Sequence, residues 1–354
     1  MKCTARMCLP NAEIELVSEP TRPRAHTVLR CNIATNANLK SVDRTRRIKM
    51  LTTVLRLGFV QLRVLDLSAA LVHYRDHMGL DLVNVEGGRA YLKAYDEFDR
   101  HSVVLREADT VGIDIMAFKL VSDQAVRDMI PELEKRGVTF EFIEKGEQPG
   151  VGERLRVHMP TGHQFDFYSE MALSDDGPMV KNPELWRNEP KGMRIVRYDH
   201  CALLGDEIDA SAEILIGILG FSIAERVLDP EGNNIALFLS CSNKAHDVAF
   251  LKAPVKGKLH HASFLVESWS DIGHAANLMA RRDIKIDIGP TRHGITRGQT
   301  IYFFDPSGNR NETFAGGYHF YPDNPTRVWT IDNFGKGLFY YEQEVVESFV
   351  GVYT

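Results

Sequence analysis

The chain has 354 residues, of which 44% are hydrophobic and 25% charged, and its formal net charge at pH 7 is -6. This length and composition suit about two globular domains, and no run approaches the ~18 apolar residues of a membrane-spanning helix, so no membrane partner is expected. Residues 1–50 hold ten basic and four acidic residues (+6), whereas the remainder holds 32 basic and 44 acidic residues (-12), and such an acidic body excludes nucleic acid as the expected partner.

The basic first segment, residues 1–50, lacks the continuous apolar stretch of a secretory signal. We predict a disordered extension, or residues encoded upstream of the true start with Met50 as the initiator. An organelle-targeting segment is the alternative, which its arginines favour and Glu13, Glu15 and Glu19 oppose. The chain has five cysteines without CxxC spacing, which predicts neither a disulfide framework nor a zinc ribbon and indicates a cytoplasmic protein.

The remainder of the sequence is an internal repeat. One stretch begins at Phe59 and another at His200, and each leads to a glycine twenty positions later. Two further pairs of segments correspond, namely 101–105 with 246–250 and 160–166 with 306–312. Self-similarity of this kind is typical of a duplicated architecture. We therefore predict two tandem domains, 51–185 and 193–330.

Each half divides into two modules. A module opens with an alternating strand, such as that of Val60, Leu62 and Val64, continues with a segment of helical period, and ends with short strands joined by Gly or Pro turns. The predicted pattern is β-α-β-β-β four times over, an α+β fold. Residues 331–354 are predicted to form a helical tail, with a weak helix over 334–349.

Comparison of the halves isolates candidate functional residues, because positions needed only for folding should agree between them. The aligned strand positions are Phe59, Ile115 and Asp166 in the first half and His200, His261 and Glu312 in the second. Two imidazoles and a carboxylate on separate strands can bind one face of a metal ion and leave the opposite sites open, which suits non-haem Fe(II) and also fits Mn(II). Structural zinc sites usually contain cysteine thiolates, and these three positions contain none, so a structural zinc site is not expected here.

The second half also contains His246, His260, His293 and Tyr302. Histidine is the side chain best suited to move protons near neutral pH, so these residues are candidates for acid–base work. His274 lies on a stretch of helical period and is expected to be an ordinary surface residue.

One segment points to a known family. Residues 291–312 read TRHGITRGQTIYFFDPSGNRNE, which resembles the pattern of the extradiol ring-cleavage dioxygenases: His, seven residues, Ile-Tyr, two residues, Asp-Pro-x-Gly, three residues, Glu. Three further segments are similar to the catechol 2,3-dioxygenases of that family. They are MRIVRYDH, which ends at His200, KAHDVAF around His246, and LHH, which ends at His261. The resemblance runs from about Leu55 to the end of the chain.

This resemblance implies the vicinal oxygen chelate fold, also called glyoxalase/bleomycin-resistance-like, which is built from paired β-α-β-β-β modules. It implies a non-catalytic first domain and a catalytic second domain. It also implies Fe(II) as the cofactor, with His200, His261 and Glu312 as its ligands. These are the three positions at which the halves differ.

The resemblance further implies roles for residues around the ion. The catalytic groups would be His246, His293 and Tyr302, and the ring pocket would be lined by Phe238, Ile295 and Thr296.

Two positions depart from the pattern of the family. Phe59 stands where similar proteins often have His, in the half without a metal site. Arg297 stands where His can occur, close enough to the pocket to tune substrate preference.

The implied activity is Fe(II)-dependent cleavage of catechol by O2 to 2-hydroxymuconate semialdehyde, in aromatic hydrocarbon catabolism. The resemblance also implies a homotetramer, and a ferredoxin partner that re-reduces oxidised iron. Two alternatives stay open. The motif residues hold the diol and not the far edge of the ring, so a substituted or bicyclic catechol such as 2,3-dihydroxybiphenyl could be the substrate. A non-catalytic protein of the same fold that sequesters a small molecule is the other alternative.

Overall fold

The chain repeats a unit of one strand, a helical segment and three strands. The computed structural model describes residues 54–184 and 189–354, so the prediction for residues 1–50 lies outside the described residues. The first two units consist of β1 (Val54–Val64), α1 (Leu67–Leu71, continued by a π-helical turn over Val72–His77), β2 (Asp81–Glu86), β3 (Arg89–Lys93) and β4 (Val103–Glu107), then β5 (Gly112–Leu120), α2 (Asp123–Asp128), α3 (Ile130–Lys135), β6 (Phe140–Ile143), β7 (Arg154–His158) and β8 (Gln164–Tyr168).

The third and fourth units follow the same plan. They consist of β9 (Arg197–Gly205), α4 (Ile208–Leu219), β10 (Ser222–Leu228), β11 (Asn234–Ser240) and β12 (Val248–Lys252), then β13 (Lys258–Leu265), α5 (Trp269–Arg281), β14 (Ile286–Arg292), β15 (Gly298–Phe304) and β16 (Arg310–Gly316). After them come β17 (Arg327–Thr330), a 3-10 turn (Ile331–Asn333), α6 (Phe334–Leu338) and α7 (Glu347–Gly351).

The strands form two mixed sheets of matching topology. The order is β2-β3-β4-β1-β5-β8-β7-β6 in the first sheet and β14-β15-β16-β13-β9-β12-β11-β10-β17 in the second. In each sheet the opening strands of two units lie antiparallel at the centre, and each opening strand is parallel to the last strand of its own unit. The predicted α+β fold of four β-α-β-β-β modules is confirmed.

Local sequence explains where several helices begin and end. The Asp66 carboxylate accepts a hydrogen bond from the Ala69 backbone N–H at 3.0 Å and thereby caps α1, and the Ser122 hydroxyl caps α2 in the same way. Helix α4 ends at Gly220, whose φ of +76° is a left-handed conformation that glycine adopts without a steric penalty.

The helices of both halves pack on their sheets around one shared hydrophobic core. Two aromatic pairs join the halves, since the ring centroids of Phe118 and Phe221 are 5.2 Å apart and those of Phe165 and Phe250 are 6.2 Å apart. The two sheets belong to one compact unit. No helix among the residues that the structure describes is long and apolar enough to cross a bilayer.

Polar contacts from the first half reach a turn that precedes β16. The Tyr74 hydroxyl is 3.1 Å from Asp305 Oδ2 and 3.2 Å from Asn311 Oδ1, and all three side chains are buried. The Asp305 carboxylate accepts hydrogen bonds from the backbone N–H groups of Ser307 and Asn309. The first sheet's helix thus fixes the turn that leads into the strand of Glu312.

The C-terminal tail differs from its prediction. A helix over 334–349 was expected, but the structure has two short helices, α6 and α7, with an irregular segment between them. Two glycines, Gly335 and Gly337, weaken the helical preference of α6, and its C-cap residue Phe339 is already extended. The tail packs its Leu338, Phe339 and Phe349 against the second sheet.

Candidate active site

The two faces of the second sheet have different partners. On β15, Ile301 and Phe303 belong to the core under the helices, whereas Tyr302 between them belongs to a separate cluster on the opposite face. Residues of β11 divide in the same way, since Leu237 faces the helices and Phe238 does not. Alternation of side chains along a strand therefore selects which residues face the candidate site.

Three side chains of types that commonly bind metals meet on that opposite face. His200 lies on β9, His261 on β13 and Glu312 on β16, and all three are buried. Glu312 Oε2 lies 3.1 Å from His200 Nε2 and 3.5 Å from His261 Nε2, and the two nitrogens are 3.4 Å apart. Within residues 54–184 and 189–354, this is the only such group of three or more His, Cys, Asp or Glu residues.

These spacings fit a divalent transition-metal ion. Ligand atoms at about 2.1 Å from an ion, on neighbouring corners of an octahedron, are roughly 3.0 Å from one another. Glu312 Oε2 is buried and has no hydrogen-bond donor among the described residues. An unpartnered buried carboxylate oxygen is strongly unfavourable, and a cation would satisfy it. The three residues therefore suit one metal ion with open sites opposite.

A buried carboxylate sets the tautomer of His200. The Nδ1 atom of His200 is 2.9 Å from Asp199 Oδ2, and the Lys244 ammonium is 3.4 Å from the other oxygen of Asp199. Burial would raise the pKa of Asp199, but Lys244 and the His200 hydrogen bond lower it well below its usual range. The carboxylate accepts the Nδ1–H, so the Nε2 lone pair of a neutral His200 points at the metal position.

The anionic neighbours of His200 raise its pKa. Burial alone would lower the pKa of this imidazole, but its hydrogen bond with Asp199 and the negative charge of the nearby Glu312 carboxylate raise it above the ordinary value. A metal ion at this position would compete with a proton for Nε2.

A second relay fixes His261. Its Nδ1 is 2.7 Å from Nδ1 of His260, and Nε2 of His260 is 2.6 Å from the carbonyl oxygen of Phe349. A carbonyl only accepts, so His260 donates through Nε2 and accepts through Nδ1. Burial lowers the pKa of His260 to about 3, which keeps it neutral. His261 must then donate through Nδ1, which leaves its Nε2 lone pair free for a metal.

His293 and Tyr302 form a hydrogen-bonded pair beside the triad. The Nδ1–H of His293 donates to the Leu338 carbonyl oxygen, so Nε2 is the acceptor of the Tyr302 hydroxyl, 2.8 Å away. The same Nε2 lies 3.5 Å from Glu312 Oε1, which also accepts a hydrogen bond from the Thr300 hydroxyl at 2.5 Å. The Nε2 atom of His293 is thus the hydrogen-bond acceptor of this ring, next to the triad.

His246 lies on the other side of the triad. Its ring centroid is 4.0 Å from that of His200 and 5.4 Å from that of Phe238. Burial and the neighbouring His200 lower the pKa of His246 well below its ordinary value, so the ring is neutral. Neither ring nitrogen has a protein hydrogen-bond partner within the described part of the chain, which leaves both available to a ligand.

All nine site residues expected from the sequence line one narrow cavity of about 40 Å³. They are His200, His261, Glu312, His246, His293, Tyr302, Phe238, Ile295 and Thr296. The lining residues that the sequence analysis did not identify are mainly apolar: Ala202, Ala249, Leu251, Phe314, Leu338 and Phe349. Two of these, Leu338 and Phe349, come from the C-terminal tail, which thus forms part of the cavity wall.

One wall of the cavity carries backbone strain. Thr296 and Arg297 have φ angles of +61° and +60°, a left-handed conformation that is unfavourable for residues other than glycine. The buried carboxylate of Glu225 holds this turn, because it accepts hydrogen bonds from the Thr296 N–H at 2.7 Å and from the Trp329 indole at 2.6 Å. Sequence reasoning missed Glu225, although an acidic residue within the otherwise largely apolar β10 was a usable signal.

The first half holds a counterpart without metal-binding character. Phe59 and Ile115 replace the histidines, and Arg156 pairs with Asp166 across β7 and β8 as Tyr302 pairs with Glu312 across β15 and β16. Asp166 lies 2.8 Å from Arg156 Nε, and a buried second arginine lies 3.0 Å from its other oxygen. Two guanidinium groups thus neutralise the carboxylate that corresponds to Glu312.

Comparison with known proteins agrees with this geometry. Residues 197–313 match the Glyoxalase/Bleomycin resistance protein/Dioxygenase superfamily, and residues 113–172 match the Catechol 2,3-dioxygenase-like N-terminal domain. A metapyrocatechase from Pseudomonas sp. (strain CF600) is 48% identical over 303 residues, which cover 85% of this chain and 99% of that protein.

Further relatives include a manganese-dependent 2,3-dihydroxybiphenyl 1,2-dioxygenase from Geobacillus genomosp. 3, 27% identical over 84% of this chain and 96% of that protein. Among solved structures, the 2,3-dioxygenase LapB from Pseudomonas sp. KL28 superposes with a TM-score of 0.78 at 44% identity, covering 80% of this chain and 99% of that one. Homoprotocatechuate 2,3-dioxygenase from Brevibacterium fuscum superposes with a TM-score of 0.76 at 26% identity, covering 84% and 92%.

Proposed function

Since the chain belongs to the extradiol ring-cleavage dioxygenase family, we propose that it cleaves catechol with O2 to 2-hydroxymuconate semialdehyde. One catechol and one O2 together contain every atom of this product, so the reaction balances without a co-reactant. The carbon–carbon bond beside the diol and the O–O bond break, and both oxygen atoms enter the product as part of an acid and an aldehyde. The observation that carries the proposal is a complete triad beside a neutral histidine, in a chain 48% identical to a metapyrocatechase.

We propose Fe(II) as the metal held by His200, His261 and Glu312. When bound, such an ion supplies a path for electron density from the diol to O2, whose triplet state otherwise reacts slowly with catechol. The donor set of two imidazoles and one carboxylate also suits Mn(II), and one relative is named as manganese-dependent.

The protein's own residues handle the protons. Catechol loses a proton as it binds, and Nε2 of His293 is the atom that can accept it, because its Nδ1–H already donates to Leu338. The Tyr302 hydroxyl then turns from His293 towards a substrate oxygen. His246, on the opposite side of the triad, donates a hydrogen bond to oxygen; its other ring nitrogen takes up the second proton of catechol and returns it as the O–O bond breaks.

The pocket favours a single ring. Phe238, Ile295 and Thr296 surround the narrow cavity next to the triad, and the tail residues Leu338 and Phe349 form part of its wall. Its mainly apolar lining matches the face of a benzene ring, while the metal and histidines match the diol. The small volume of this cavity thus favours a single ring over a bicyclic substrate.

The proposal also covers the oligomeric state of the protein, the reactivation of oxidised enzyme and the location of the protein in the cell. We propose a homotetramer, a ferredoxin that re-reduces oxidised iron, and a cytoplasmic location, as family resemblance and cysteine usage imply. Light scattering on the purified protein measures the first, and recovery of oxidised enzyme by a reduced ferredoxin measures the second.

Oxygen uptake with anaerobically Fe(II)-loaded protein is the decisive experiment. We expect uptake with catechol, formation of a yellow product, and no more than slow uptake with 2,3-dihydroxybiphenyl; 3-methylcatechol measures tolerance for a small substituent. Parallel loading with Mn(II) tests the choice of metal. Uptake with none of these diols would overturn the enzyme assignment and favour a binding protein.

A further inference from the structure

A strongly basic depression adjoins the narrow cavity. Its volume is about 770 Å³, and its cationic lining, here called the basic mouth, consists of Arg292, Arg297, Arg327 and Lys336. No carboxylate is among its described lining residues, and none of the four cations has an ion pair within 4.0 Å among residues 54–184 and 189–354. Four cations without a direct ion-pair partner make this surface suited to an anion.

The basic mouth meets the candidate site at His293, whose side chain lines both cavities. Gly294 lies next to it, where a Cβ atom would come within 2.5 Å of the Lys336 carbonyl oxygen and 3.0 Å of the Trp329 ring. This position is therefore tightly packed, and only a glycine fits there. His293 is the residue that the catalytic cavity and the basic mouth share.

One of the arginines stacks on an aromatic ring, and a second lies at the edge of contact with it. The guanidinium carbon of Arg327 lies 3.5 Å from the centroid of Tyr318, and that of Arg297 lies 6.0 Å from the same centroid. Stacking against the face of a ring leaves the N–H edges of a guanidinium free to bind a carboxylate with two hydrogen bonds.

The proposed reaction changes the charge of the ligand. Catechol and O2 are neutral at pH 7, whereas ring opening creates a carboxylic acid, whose proton passes to water. The apolar walls of the narrow cavity solvate a free carboxylate poorly, while the basic mouth outside attracts one. The basic mouth thus distinguishes the product carboxylate from neutral catechol.

We propose that the basic mouth is a binding site for the carboxylate of the ring-opened product, which draws the product out of the catalytic cavity. This inference rests on the proposed function. Its ligand chemistry is that of a small organic carboxylate, which could also be carried by a substituted catechol as substrate.

A triple variant, Arg297→Gln, Arg327→Gln and Lys336→Gln, tests the site. The measured quantity is the inhibition constant of preformed product divided by the Michaelis constant of catechol, from initial rates. We expect this ratio to rise about tenfold in the variant, within the range of local electrostatic attraction. In the wild-type protein the ratio should also rise as NaCl increases to about 0.5 M, and in the variant it should not.

The matched control removes three exposed cations elsewhere on the second half, as Lys252→Gln, Arg281→Gln and Lys285→Gln. It lowers the net charge equally and should leave the ratio within about twofold of wild type. An unchanged ratio in a triple variant that still turns over catechol would overturn the inference. Failure of wild-type protein to consume O2 would instead count against the proposed function.

A second arm separates the two sources of carboxylate. The specificity constant for the carboxylated diol 3,4-dihydroxybenzoate is compared with that for catechol, in wild type and in the triple variant. A lower value for the carboxylated diol in wild type supports the product assignment. A higher value that collapses in the variant would overturn it in favour of an anionic substrate.

Discussion

At the scale of single residues, the triad is governed by groups that do not touch the metal position. Asp199 fixes one histidine and His260 fixes the other, so both Nε2 lone pairs converge near Glu312. The site is therefore pre-organised for a cation by hydrogen bonds on its far side.

Replacement of Asp199 by Asn should weaken metal binding. The amide oxygen can still accept from His200, but the negative charge that Lys244 and His200 face is lost. Loss of such a partner typically weakens metal affinity about 10–100-fold. Competition with a chelator measures this, with the exposed Glu213→Gln as the control. Equal metal retention in both variants would show that Asp199 does not position His200.

His246→Ala separates chemistry from metal binding. His246 is not within the metal-ligand group, so the variant should keep its iron, whereas loss of one acid–base group lowers turnover by about 10²–10⁴-fold. Metal analysis and oxygen uptake on the same sample give both numbers. Normal turnover would remove His246 from the mechanism, and loss of iron would make it a structural residue.

At the scale of elements, helix α1 and its π-helical continuation belong to the first half but also contact the second half. Tyr74 bonds to Asp305 and Asn311 in the segment that leads to Glu312. The first half thus contributes to the site by bracing a turn, without a residue in the cavity.

Tyr74→Phe should therefore destabilise the protein and loosen the metal. The substitution keeps the buried ring but leaves Asp305 and Asn311 without the hydroxyl, which costs about 1–3 kcal/mol. Urea unfolding measures the change in free energy, and Tyr340→Phe, at an exposed position, is the control. If both variants unfold at the same urea concentration, the hydroxyl contributes nothing to the contact between halves.

How much of the fold and of the candidate site can be predicted from the sequence depends on how far apart the contacting residues lie in the chain. The modules could be predicted because they follow short-range periodicity. The triad could be predicted because 51 residues separate both Ile115 from Asp166 and His261 from Glu312. Glu225 and the tail could not be predicted, because Glu225 contacts Thr296 and Trp329 across 71 and 104 residues, and Phe349 reaches His260 across 89. Such contacts exist only once the sheet has closed.

At the scale of the whole molecule, buried neutral histidines link stability to pH. Burial lowers the pKa of His101 and of His163 to about 4 in the folded protein, against about 6.5 in the unfolded chain. Between these values the unfolded chain binds protons that the folded protein does not. The free energy of unfolding is therefore highest above pH ~6.5 and falls on acidification, by at most about 1.4 kcal/mol per pH unit for each histidine.

His101→Gln tests this linkage in the half without a metal site. Urea midpoints at several pH values between about 7.5 and 4.5 should decline less steeply in the variant, by the share of one histidine. The wild-type protein measured in parallel gives the reference slope. Identical slopes would show that His101 is not kept neutral by folding.

The arginines around Asp166 have a consequence for stoichiometry. In the first half two guanidinium groups neutralise Asp166, and Phe59 and Ile115 offer no ligand, so the described residues offer a single metal position, at His200, His261 and Glu312. A calorimetric titration should accordingly reach saturation at one Fe(II) per chain. Excess metal in the growth medium should not fill a second position, because Asp166 is already neutralised.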